Sequence, residues 1–130
     1  MRLLLDTHTF LWFIDGSQNL SEYARRLIEA PSNERLLSIA SLWEMSIKIS
    51  LGRLELPVSF TDLIEHHVQG NDIDLLAIKP EHLDVLKALP FHHRDPFDRL
   101  MIAQSVSEQI PVVSRDAAFE AYSIERIWNR

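Results

Sequence analysis

MRLLLDTHTFLWFIDG, residues 1–16, holds an apolar triplet, an acid, and then a second apolar run with a different spacing. Leu3, Leu4 and Leu5 make a short continuous run, the pattern of a strand buried on both faces. Asp6 ends it. Residues 7–14 then space their apolar side chains as a helix does, with Gly16 as the stop. A strand that ends in an acid and turns directly into a helix is the start of an α/β unit, in which ligand sites gather beyond the carboxyl ends of the strands.

The rest of the chain repeats this alternation. Residues 21–30 read as a second helix closed by Pro31, residues 35–39 as a strand, and residues 40–51 as a helix ended by Gly52. Ser59-Phe60-Thr61-Asp62 matches a capping box and opens a helix to about His67. Residues 74–78 read as a strand, and Pro80 starts a helix that runs to about Ala88. RDPFDRLMIAQ, residues 94–104, opens a helix that ends near Gln109. Residues 111–114 form a short strand, and residues 123–128 a last one. Strands alternating with helices predict a central, mostly parallel sheet flanked by helices in three layers, an α/β fold.

At 130 residues, 46% hydrophobic and 25% charged, the chain suits a single domain, residues 1–130, with a core that needs no disulfides. It has no cysteine, which excludes a disulfide scaffold and a thiolate zinc site and fits a reducing compartment. Asp6 and His8 interrupt the first apolar run, so it does not read as a signal peptide, and no run approaches a membrane span. A cytoplasmic protein is expected. The net charge of -6 argues against sequence-independent coating of DNA. It leaves room for a nucleic-acid enzyme, because bound divalent cations reverse the sign of an acidic cleft.

Four acids stand where chemistry would sit, and each also has a structural reading. Asp95-Pro96-Phe97-Asp98 starts a helix well, with Asp95 as cap and Asp98 favoured at the positive helix end. Ser41-Leu42-Trp43-Glu44 matches a capping box, and Glu44 stands four residues before Lys48. Asp6 and Asp116 each follow a strand, where an aspartate serves a rim site or caps the next segment. Taken together the four weigh more. Carboxylates about 4 Å apart repel by about 4 kcal/mol per pair at a surface-like dielectric. Such a cluster takes up protons or binds cations, and hard oxygen donors without thiolate favour Mg²⁺ or Mn²⁺.

With these residues the sequence resembles the PIN-domain nucleases, most closely the VapC-type toxins of bacterial toxin–antitoxin pairs. MRLLLDTHTFLW is similar to the family's first strand and first acid, and SLWEMSIKISLGRLEL to the segment of its second. HHRDPFDRLMIAQS and VVSRDAAF are similar to the segments of the third and fourth. The resemblance implies that Asp6, Glu44, Asp98 and Asp116 are catalytic and hold one or two Mg²⁺ or Mn²⁺ ions for RNA cleavage. It also implies a cognate protein antitoxin and a homodimer. Asp95 is an extra acid, a cap or a support to the ligands. Thr7 and Ser114 are candidates to support the ligands through hydrogen bonds, and Arg94, Arg99 and Arg115 to guide RNA phosphates.

Adjacent His92 and His93 do not share a face of a helix or strand, so a zinc pair there is disfavoured. Trp12 and Trp43 suit burial or a contact with an antitoxin or a second subunit. Two rivals remain. An aspartyl-phosphate phosphatase would use Asp6 as nucleophile but wants a second aspartate where this chain has His8. A PIN-like module would bind a partner or RNA without cutting.

Overall fold

Five short strands, each rich in leucine, valine or isoleucine, form one sheet in the computed structural model, which describes residues 1–129. They are β1 (Arg2–Leu5), β2 (Glu34–Ser38), β3 (Ile73–Leu76), β4 (Val112–Val113) and β5 (Arg126–Ile127). Every pairing is parallel, and the order across the sheet is β3-β2-β1-β4-β5. The helices are α1 (Thr7–Asp15), α2 (Glu22–Glu29), α3 (Ile39–Ser50), the short α4 (Phe60–Asp62), α5 (Pro80–Ala88) and α6 (Pro96–Glu108). The expected α/β architecture is present.

The strand side chains alternate between two cores. Leu3, Leu5, Leu37 and Val113 face one side, where they meet Phe10 of α1, Ala24 and Ile28 of α2, and Met45 of α3. Leu4, Leu36 and Val112 face the other, against Met101 and Ile102 of α6 and against Phe119 and Tyr122. Register explains the match: Leu4 pairs with Leu36 and Val112, and Leu5 with Leu37 and Val113. A sheet covered on both faces needs apolar side chains at successive positions, so the triplet is continuous rather than alternating.

Several boundaries differ from the sequence reading. β3 ends at Leu76, two residues short of the expected strand, and β4 and β5 are only two residues long. The flanks of β4 still pair, since Ser114 N donates to Ile127 O at 3.1 Å and Leu4 N to Pro111 O at 3.0 Å. Ser59 caps as expected by accepting from Asp62 N, but the segment then widens into a π-helical turn, Leu63–Val68. Gly16 sits at φ 64°, the left-handed conformation that closes α1 at little cost only for glycine.

The strand order places a reversal at β1. The chain moves outward from β1 to β2 and β3, then crosses to the far side of β1 for β4 and β5. The carboxyl ends of β1 and β4 flank that switch point, where open parallel sheets bind ligands. Leu5 is fully buried beside it. Leu5→Ala is expected to cost about 3 kcal/mol in urea unfolding, whereas Leu83→Ala, at a half-exposed position on α5, should cost under about 1 kcal/mol.

A carboxylate cluster at the strand ends

Asp6 directly follows β1 and is almost fully buried. Its two oxygens have separate partners. Its Oδ1 accepts from Thr9 N at 2.8 Å and so caps α1, while its Oδ2 accepts from the Ser114 hydroxyl. Ser114, just past β4, also accepts from Asp116 N at 3.0 Å. One serine thus ties the acids of two neighbouring strands. Asp116 is more open; its Oδ1 accepts from Ala118 N at 2.9 Å and caps the 3₁₀ turn Ala117–Ala121.

Glu44 enters from α3. The capping-box reading fails here: the cap of α3 is Ser38, whose hydroxyl accepts from Ala40 N at 3.0 Å. Glu44 is therefore one turn inside the helix and points inward, nearly buried. Its Oε1 accepts from the Thr7 hydroxyl at 2.7 Å, and its Oε2 meets Lys48 Nζ at 2.8 Å. The Ser41 hydroxyl lies 2.9 Å from Thr7 Oγ1 and 3.5 Å from Met101 Sδ.

Asp98 lies in the first turn of α6, capped by Asp95, whose Oδ1 accepts from Phe97 N at 2.8 Å and Asp98 N at 3.1 Å. The ring of Phe97 meets the ring of Trp43 edge-on at 5.0 Å. Each aromatic immediately precedes a site acid, so this contact fixes the spacing of the α3 and α6 termini. Burial, then the fields of Asp95, Asp6, Glu44 and Asp116, push the Asp98 carboxyl up to about 7. Burial also raises the Asp6 carboxyl, against the hydrogen bonds from Ser114 and Thr9. The four predicted acids therefore share one electrostatic neighbourhood.

His93 joins them and was missed as a partner of the acids. Its Nε2 lies 3.1 Å from Asp98 Oδ2 and 3.4 Å from Asp116 Oδ2. The three groups offer atoms within 4.8 Å of one another, with Asp6 and Glu44 standing outside this tight trio. His92 instead meets the Tyr122 ring, 5.3 Å between centroids. The partners of His93 come from other segments, and only the cap at Asp95, two residues on, hints at them in sequence.

The three arginines separate. Arg115 is exposed, 5.9 Å above the Trp12 ring, and lines an open hollow of about 350 Å³ with Asp6, His8, Trp12 and Asp116. Arg94 is exposed on a different hollow, beside Phe91 and Pro96. Arg99 is a correction: it is buried, and its guanidinium donates to Pro90 O at 2.8 Å and to Leu89 O at 3.4 Å. Phe91 covers it at 4.2 Å. Arg99 therefore secures the segment before α6 through backbone carbonyls rather than standing free for a phosphate.

Carboxylate oxygens without thiolate, in a cluster where one acid is pushed towards neutrality, fit a hard divalent cation such as Mg²⁺ or Mn²⁺. Lys48 and the Nε2–H of His93 offset only part of the charge.

A family model described as the PIN domain matches residues 3–125. No curated protein matches the sequence at a significant level. Among solved structures the chain is similar to VapBC2 from Rickettsia felis bound to a DNA fragment from its promoter, with TM-score 0.71 and 14% identity over 99% of this chain and 100% of that one. It is also similar to FitAcB from Neisseria gonorrhoeae, with TM-score 0.64 and 14% identity over 98% and 96% of the two chains. A toxin–antitoxin complex from Klebsiella pneumoniae follows, with TM-score 0.62 and 13% identity over 96% and 95%.

The elevated Asp98 fixes the sign of a pH effect. An acid whose folded pKa lies above its unfolded value of 3.8 loses folding stability as pH rises through the interval up to about 7. Above that interval the penalty is complete. In chelator, Asp98→Asn is expected to raise Tm by several degrees at pH 8 and to change it little at pH 4, measured by thermal denaturation.

Proposed function

The chain belongs to the PIN domain family, and from that premise we propose that it is a divalent-cation-dependent endoribonuclease, the toxin of a toxin–antitoxin pair. The observation that carries this reading is the gathering of Asp6, Glu44, Asp98 and Asp116, where burial and then the fields of the other acids push the Asp98 carboxyl up to about 7. Mg²⁺ or Mn²⁺ would be held by these carboxylates. When bound, the cation supplies the Lewis acidity that activates water and offsets charge on the phosphodiester.

The chain's own residues do the positioning. Ser114 keeps one Asp6 oxygen turned to β4 and so fixes the plane of that carboxylate. Thr7 does the same for Glu44, and Lys48 takes the other Glu44 oxygen. Cap hydrogen bonds hold Asp6 and Asp116 from the backbone, which limits the reorganisation needed to meet a cation. Arg115, beside Asp6 and Asp116, would receive an RNA phosphate at the edge of the acidic cluster. Thr7 and Ser114 thus support the ligands, as does Asp95 through the α6 cap.

The partner proposal draws on the neighbours, among them a toxin–antitoxin complex and a VapBC2 assembly on promoter DNA. A cognate antitoxin would bind this chain, which we further propose to be a cytoplasmic homodimer. No helix among the described residues is long and apolar enough to cross a membrane.

Asp98→Asn and Glu44→Gln are expected to lower Mn²⁺-dependent cleavage of single-stranded RNA by at least about a hundredfold with an unchanged circular dichroism spectrum. A folded wild-type protein that binds RNA in Mn²⁺ and leaves it intact would point to the binding-module reading instead.

A further inference from the structure

His93 stands against two of the site acids, and the hydrogen bonds around its ring determine what it can do there. Asp95 N donates to His93 Nδ1 at 3.2 Å. That bond uses the Nδ1 lone pair, so the ring proton of the neutral imidazole sits on Nε2. Nε2–H then points at Asp116 Oδ2, 3.4 Å away, and Nε2 lies 3.1 Å from Asp98 Oδ2. A nitrogen that carries this hydrogen has no lone pair to give to a metal. Ligation through Nε2 would move the proton to Nδ1, where it would face the Asp95 N–H.

The backbone of His93 is also held from outside the acids. His93 N donates to the Tyr122 hydroxyl at 2.9 Å, and Arg99 Nη1 lies 3.4 Å from His93 O. The Phe119 ring lies 6.0 Å from the imidazole. Tyr122 in turn donates to Pro90 O at 2.8 Å, so the segment before α6 is fixed on two sides. The position of Nε2 is therefore set by the fold, independently of Asp98 and Asp116.

We propose that His93 is a positioning residue of the cation site, whose Nε2–H orients the carboxylate of Asp116 beside Asp98 without itself ligating the ion. The inference rests on the cation-dependent reading given above. It gives Asp116, in the turn after β4, a side-chain donor beside Asp98 of α6, as the Ser114 hydroxyl gives Asp6 one. Donors of this kind around ligands set metal affinity, and their loss typically costs about 10- to 100-fold.

The test is Mn²⁺ binding by calorimetry on wild type, His93→Ala and His93→Gln at one pH, with pulsed electron paramagnetic resonance on the Mn²⁺-loaded proteins. His93→Ala is expected to bind at least about tenfold more weakly. His93→Gln, whose amide N–H can take over the donation, should recover most of the loss. Wild type and His93→Gln should show the same nitrogen couplings. A nitrogen coupling present in wild type and lost in His93→Gln would make His93 a ligand and overturn the proposal, as would unchanged or tighter binding by His93→Ala. If His93→Ala does not fold, the comparison of wild type with His93→Gln still decides. Failure of folded wild type to bind Mn²⁺ would instead remove the cation site itself, and the role of His93 with it.

Discussion

Parallel strands deliver their carboxyl ends to one edge, and in this protein that constraint gathers like charges. β1 and β4 are neighbours only because the chain reverses direction across β1. Their adjacency puts Asp6 and Asp116 beside each other, and a single Ser114 hydroxyl spans them. The helices that begin on the same rim add Glu44 and Asp98. Burial, and then repulsion within the group, raise the Asp98 carboxyl, so the sheet core must outweigh a local electrostatic cost. Leu3, Leu4, Leu5, Val112 and Val113, all fully buried, provide the packing against which that cost is set.

Capping and site-building are the same act here. Asp6, Asp95 and Asp116 each satisfy backbone N–H groups at the start of a helical segment. A capping aspartate is immobilised by the backbone, so its orientation needs no further ordering when a ligand arrives. Capping leaves one oxygen of Asp6 free for other contacts: Oδ1 serves the helix and Oδ2 accepts from Ser114.

The elements legible in sequence were those whose signal is local. The Leu3–Leu5 run, the Gly16 stop, and Asp95-Pro96 at the start of α6 predicted their structures because burial on both faces, φ and capping are decided by neighbours in the chain. Glu44 was read against the wrong serine, since Ser38 and Ser41 both precede it and only the end of β2 decides which one caps. Arg99 looked exposed because a charged residue in a helix usually is, and its burial depends on Phe91 and Tyr122, remote in pattern though present in the chain. His93 escaped for the same reason: its partners are two acids that the fold brings to it. The strand order, too, is set by a crossing that no local pattern marks.

The edge-on contact of Trp43 with Phe97 has a consequence for how the centre responds to its surroundings. Glu44 and Asp98 are spaced by an uncharged joint that remains partly open to water. Ionic strength screens the open Asp116 more than the buried Asp6 and Glu44, and leaves dispersion between two rings almost untouched. Dissolved salt can therefore tune the charge felt in the cluster while the dimensions of its frame stay constant.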